Sequence, residues 1–218
     1  MRQSLLVLLV VFIVSYGCKP EAQYRVDRSF KVSTFYDLRN PDKVAPSETD
    51  VQISFSENGI QFTAHLSEDD IKASITRHDT TIYLDPCIEL FLDPGADGKD
   101  YYEFEINALG YGWALKLASN APPLNAPYNI SSWDLNRNYK SEVYGTVNDD
   151  SDTDSHWIAT MTCPWEAILE GMPSKGEAWA YNVMRIDYDQ DNLPSYWVAK
   201  STGAVNIHKP ATWPIIEF

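Results

Sequence analysis

The chain has 218 residues, with 17 Lys and Arg against 31 Asp and Glu, a formal net charge of −14 and a pI near 4.5. A surface of that sign repels nucleic acid and anionic lipid and leaves uncharged ligands or cations as natural partners. Seven Trp, thirteen Tyr and eight Phe are many aromatics for this length, and they suit strands and flat binding platforms alike.

At the N-terminus, Arg2 precedes an unbroken apolar run from Leu5 to Val14, followed by Ser15, Tyr16, Gly17 and Cys18. The run is too short for a bilayer, which takes roughly 20 residues. A basic start, a short apolar stretch and small residues after it describe a secretory signal over residues 1–17. The Val14-Ser15-Tyr16-Gly17-Cys18 segment resembles a relaxed bacterial lipobox, with Ser15 standing where the strict pattern has an aliphatic residue. That resemblance implies cleavage before Cys18 and a lipid on its sulfur. The protein would then be exported and anchored at a bacterial outer membrane, cell surface or periplasmic face. Residues 18–29 would be a tether, and the lipid the sole contact with membrane. Residues 30–218 suit one domain, which at this size buries roughly 70% of its unfolded surface and needs no disulfide framework.

From there the chain reads as short strands. Val51, Ile53 and Phe55 alternate before Glu57-Asn58-Gly59, and Ile60, Phe62, Ala64 and Leu66 alternate after it; this is a hairpin signal. A loop or helical turn from Ser67 leads to the stretch from Tyr83 to Gly110, which predicts two strands. Ile88, Leu90 and Leu92 alternate with Glu89, Phe91 and Asp93, and Tyr102, Phe104 and Ile106 alternate with Glu103, Glu105 and Asn107. Period-two alternation predicts a sheet with one apolar and one polar face. A further strand over 111–118 places Trp113, Leu115 and Leu117 together, and residues 119–138, rich in Pro, Asn and Ser, read as a long loop. Strands follow over 141–147, 156–162, 178–188, 195–199 and 215–218, with one or two helical turns after Pro164. The sum is an all-β, antiparallel β-sandwich or jelly roll.

Paired antiparallel, the two strands of the 83–110 stretch project Glu89, Glu103, Glu105 and Asn107 from one side, edged by Tyr83 and Tyr101. Such acceptor-rich groups suit a hydroxyl-bearing ligand such as a sugar; the competing reading is a solvated outer face. Glu103 and Glu105, about 7 Å apart along a strand, also have a spacing that a glycosidase would use. The chain lacks a Gly-x-Ser-x-Gly elbow, a paired-histidine zinc motif and a phosphate loop.

The run Asp85-Pro86-Cys87-Ile88-Glu89-Leu90-Phe91, followed by Tyr101-Tyr102-Glu103-Phe104-Glu105-Ile106-Asn107, resembles the core of family 9-like carbohydrate-binding modules, within the DOMON-like superfamily. Met161-Thr162-Cys163-Pro164-Trp165, Asn206-Ile207-His208-Lys209-Pro210 and the closing Ile216-Glu217-Phe218 resemble later motifs of that family in the same order. The resemblance implies non-catalytic glycan binding between two aromatic clamps. The first clamp falls at Tyr83. The second falls at Ile207, where the family has an aromatic residue, and Trp197 is the neighbour placed to supply the missing face. Glu89 would take a sugar hydroxyl, with Arg185 and His208 as cationic neighbours of the acidic group.

No cofactor is required by this reading. Members of the family can carry structural calcium, and Asp93, Asp97 and Asp100 make an oxygen-rich turn for it; Asp149 to Asp154 is a second such run. A glycoside hydrolase using Glu89, Glu103 and Glu105 is the alternative from another class. A haem domain, the third reading from the superfamily, would draw on Met161, Met184 or His208. Cys87 and Cys163 could pair in an oxidising periplasm; the reading preferred over that bridge is two buried free thiols.

Overall fold

The computed structural model describes residues 26–118, 128–129, 138–188 and 193–218. The signal segment, Cys18 and most of the 119–138 loop lie outside the described residues. Two antiparallel sheets form a sandwich. The smaller runs in the order β1 (Arg28–Val32), β3 (Thr49–Ser56), β4 (Gly59–Ser67), β10 (His156–Cys163) and β9 (Tyr139–Tyr144). The larger runs β2 (Tyr36–Asp37), β12 (Pro194–Val198), β11 (Ala178–Tyr188), β5 (Cys87–Asp93), β6 (Asp100–Asn107), β7 (Gly112–Ala118) and β8 (Tyr128–Asn129), with β13 (Ile215–Glu217) also on β11. Trp165–Ala167 forms a single 3-10 turn, where a helical turn is expected after Pro164.

Folded structure begins ahead of residue 30. Val26 is buried and Arg28 and Ser29 pair with Phe55 and Ser54, so the last residues assigned to the tether are part of the sandwich. An apolar Val26 gains more by joining the core than by remaining in solvent.

The β3–β4 hairpin closes between Ser56 and Gly59, which pair. Gly59 has φ +129°, and a Cβ there would lie 2.3 Å from the Cys163 carbonyl oxygen on β10; glycine is needed for that close approach. The inter-sheet core takes the alternate residues Val51, Ile53 and Phe55, Ile88, Leu90 and Leu92, Tyr102, Phe104 and Ile106, and Trp179 and Val183. Phe55 is its hub, in ring contact with Phe30, Trp165, Trp179 and Phe218.

The other face of the larger sheet departs from the expected polar surface. Cys87, Phe91, Tyr101, Leu115, Leu117, Met184 and Ile186 form a second hydrophobic cluster there, covered by Leu38, Ile82, Ile207 and Trp213 from connecting segments. Every residue of β5 is buried. Period two correctly divides the faces, but it carries no information on which loops fold back over one of them. Cys87 belongs to this outer cluster and Cys163 to the inter-sheet core, and both are free.

Candidate functional site

The covering of the outer face is incomplete. Between it and the loops lies a pocket of about 360 Å³ whose floor is β5, β6, β7 and β11, and whose walls include Tyr83, Tyr196 and Ile207. Glu89 pairs directly with Glu105 across β5 and β6, and Glu103 lies opposite Phe91 one step along the same face. All three glutamates line the pocket, and all three are buried.

Two of the three carboxyls are held by groups on the surrounding turn and strand. The Tyr83 backbone N–H donates to Glu105 Oε2 at 2.9 Å, and the Cys87 thiol donates to Glu89 Oε1 at 3.6 Å. Glu89 Oε2 and Glu105 Oε1 are buried with no hydrogen-bond partner. Burial pushes Glu103 up to about 8. Burial first, and the neighbouring Glu103 second, push Glu89 and Glu105 well above the ordinary carboxylate range. Burial likewise raises the Cys87 thiol, with Glu89 and Glu105 adding to it, so that sulfur is a donor and not a nucleophile.

His208 closes one side. Its Nδ1 is 2.8 Å from the Tyr101 hydroxyl and 3.9 Å from Glu103 Oε2. Burial lowers its pKa to about 4, so at neutral pH it is an uncharged hydrogen-bonding group rather than the cation expected. Tyr83, 44% exposed on the Ile82–Leu84 turn, stands at the rim where the sequence places a clamp.

Three expected site residues are elsewhere. Asn107 is wholly spent on the fold: its amide donates to the Ile75 carbonyl and Asp85, and its carbonyl accepts from the Leu109 and Tyr111 N–H groups. Both donors and both lone pairs are used, and the network anchors the segment leading to Tyr83. Asp85 completes it, accepting from Ser74 and Ile75 as well. Arg185 points between the sheets, because Met184 and Ile186 take the pocket side of β11. There it donates to Thr49 Oγ1 and the Ser67 carbonyl and pairs with Glu68 and Asp187. Trp197 lies directly opposite Arg185 and so shares its face; it joins the inter-sheet core, with Lys43 Nζ 4.8 Å above its ring. One position away, Tyr196 lines the pocket instead. A strand turns its faces over with each residue.

The aspartates of the 93–100 turn are not gathered for a cation. Asp97 is taken by Lys99, through its N–H and its Nζ at 3.0 Å each, while Asp93 Oδ2 accepts the Gly98 N–H at 2.9 Å. Asp93 Oδ1 has no donor, so this turn offers an ion a single free oxygen from those two residues. In the acidic run after Asn148, Asp154 accepts the Ile71 and Thr146 N–H groups and Asp150 pairs with Lys72. Among the described residues, the one group of three whose ligating atoms all lie within 4.8 Å of one another is Glu89, Glu103 and Glu105. Of the haem ligands considered, Met161 is in the inter-sheet core, whereas Met184 and His208 line the pocket.

Sequence reasoning missed Trp113 and Tyr196 as pocket residues. Trp113 was legible: it pairs with Glu105 across β6 and β7, and directly opposed residues share a face. Leu115 and Leu117, placed with it by alternation, line the same wall.

Comparisons with known proteins agree with this architecture. The model of carbohydrate-binding family 9 matches residues 38–189. No curated protein matches. Among solved structures, a "putative carbohydrate-binding protein" of Bacteroides uniformis superposes with a TM-score of 0.63 at 17% identity, over 88% of this chain and 86% of that one. A family 9 carbohydrate-binding module of Caldicellulosiruptor kristjanssonii, in complex with cellotriose, gives a TM-score of 0.50 at 13% identity, over 79% and 75%. A family 9 module from the same organism, in complex with glucose, gives 0.50 at 12%, over 85% and 83%. At these identities the likeness is one of fold.

Proposed function

The chain belongs to carbohydrate-binding family 9, and from that premise we propose that the pocket on the outer face of the larger sheet binds a glycan without altering it. One juxtaposition supports this most directly: buried carboxylates with free oxygens on the floor, and the rings of Tyr83, Trp113 and Tyr196 on the walls. Aromatic rings accept the C–H faces of a pyranose, and carboxylates accept its hydroxyls. A volume near 360 Å³ falls in the usual range for small-ligand sites, about 300–1,000 Å³. Ile207 forms a wall where the family has an aromatic residue, so stacking would rest on the side bearing Tyr83 and on Trp113 and Tyr196.

The test is titration with glucose and cello-oligosaccharides, the ligands of the structural neighbours, read by tryptophan fluorescence, followed by a glycan array. Saturable binding with no release of reducing ends is the expected result; silence on every glycan removes the proposal. The sequence supports an exported, lipid-anchored setting for this binding, in polysaccharide capture or breakdown. Metabolic labelling with a fatty acid, lost in Cys18→Ala, checks that setting separately.

One observation favours a second reading. Glu103, held protonated near neutral pH by burial, beside two further carboxyls, is a composition that glycoside hydrolysis uses. Release of reducing sugar that disappears in Glu103→Gln would establish it over binding alone.

A further inference from the structure

The pocket floor gathers more acid than its surroundings neutralise. Glu89, Glu103 and Glu105 are each at least nine-tenths buried, and among the described residues no lysine or arginine pairs with any of them. His208 is the one basic group within 4.0 Å of these carboxyls among the described residues, its Nδ1 3.9 Å from Glu103 Oε2. Carboxyls crowded in a buried site with no counter-charge are costly to ionise, and a cation entering among them would displace their protons and supply the missing charge.

A second observation says what kind of thing. Glu89 and Glu105 are each fixed by one oxygen, to the Cys87 thiol and the Tyr83 N–H, while the other oxygen of each is buried with no donor besides a neighbouring glutamic acid. Outer partners that fix one end of a ligating side chain and leave the other free are the arrangement found around metal ions. Building on the glycan-binding reading of the same pocket, we propose that Glu89, Glu103 and Glu105 hold a divalent cation of the calcium class, and that two hydroxyls of the bound sugar complete its coordination.

The donor set is all oxygen, which selects hard cations over zinc or copper. Calcium–oxygen bonds of 2.3–2.6 Å put opposite ligands roughly 4.6–5.2 Å apart, and the three glutamates offer atoms within 4.8 Å of one another, so one ion reaches all three. Calcium takes about 6–8 oxygens. Three glutamates leave vertices open on the pocket side, where vicinal hydroxyls of a pyranose can enter in place of water. The ligands sit on adjacent, directly paired strands, which gives a rigid frame.

Calcium chloride alone is titrated by calorimetry into the full chain after removal of metal with chelator. One site per chain is expected, weakened at least tenfold in each of Glu89→Gln, Glu103→Gln and Glu105→Gln but not in Asp97→Asn, which lies on the acidic turn. Absence of calcium binding, or binding that survives all three substitutions, overturns the proposal. Should the variants misfold, wild-type crystals soaked in terbium decide it: the anomalous peak must lie within bonding distance of these carboxylates, and a peak elsewhere sinks it. A parallel titration with cello-oligosaccharide separates the two claims. Sugar affinity that falls at least tenfold in chelator supports the bridging role. Sugar affinity indifferent to chelator overturns that role while leaving glycan binding standing. Calcium bound with no sugar response on any glycan removes the glycan reading and the bridge, and leaves the ion site.

Discussion

The two faces of the larger sheet are both buried, and they are built to opposite ends. Toward the sandwich, Ile88, Leu90 and Leu92 meet Phe55 and Trp179 in a packed core. Charges admitted there are matched, Arg185 by Glu68, Asp187, Thr49 and a carbonyl and Lys116 by Glu170. Toward the loops, the intervening residues of the same strands include three carboxyls, two of which leave an oxygen unsatisfied. One face spends its side chains on stability; the other leaves hydrogen-bonding capacity unspent. Unmet polar groups in a buried place are costly, and they persist where function requires them.

The largest effect that separates the faces should come from Phe55→Ala. It removes a ring in contact with four aromatic neighbours and should cost about 3–5 kcal/mol, read from urea unfolding. Glycan affinity of the protein that remains folded should stay within about twofold, since the hub lies across the sheet from the pocket. A change in affinity comparable to the loss of stability would erase the distinction between the faces.

The opposite experiment raises stability by damaging the pocket. In the presence of chelator, the native carboxyls, Glu103 at about 8 against an ordinary 4.5, hold more protons than the unfolded chain across that interval. Stability is then greatest at the acid end and is lost as pH rises through the native pKa. Melting should occur several degrees lower at pH 8.5 than at pH 6, and Glu103→Gln, which cannot ionise, should flatten the dependence and melt higher at pH 8.5, by roughly 5 °C. A melting temperature that climbs over this range would mean the cluster is stabilised by its charge. Next in size, Tyr83→Ala at the rim should weaken glycan binding about tenfold, near 1.4 kcal/mol, with little change in melting.

How much of this was legible follows from what period two can and cannot encode. Alternation in Ile88-Glu89-Leu90 and Phe104-Glu105-Ile106 assigns each side chain to a face, and the antiparallel return brings Glu89 opposite Glu105. It does not say that Leu38, Ile82, Ile207 and Trp213 come back over the acidic face, because those contacts join segments far apart in sequence. Asn107 has the right face for a ligand residue, yet its amide is consumed by Ile75 and Asp85, partners that no local pattern announces. Arg185 and Trp197 enter the site only through the family resemblance, and order along the chain leaves parity undetermined. Within β11, however, Met184 and Ile186 flank Arg185 and share the alternate phase, so its opposite orientation could be read once that strand's outer face was fixed.

The smallest prediction tests that parity directly. Tyr196 and Trp197 are neighbours, both aromatic, and the strand places them on opposite sides: Tyr196 pairs with Ile186 and lines the pocket, while Trp197 pairs with Arg185 and enters the core. Tyr196→Ala should weaken glycan binding by about threefold, roughly 0.6 kcal/mol, with little loss of stability, since its ring is half-buried beside the outer cluster. Trp197→Phe should leave binding within experimental error and lower stability by about 1 kcal/mol, because the indole N–H bond to Ser195 is lost and the Lys43 ring contact is weakened. The two readouts should therefore cross over between adjacent residues. If Trp197→Phe instead weakens binding while Tyr196→Ala does not, β12 is registered one residue out, and the pocket wall described above is formed by the wrong side chain.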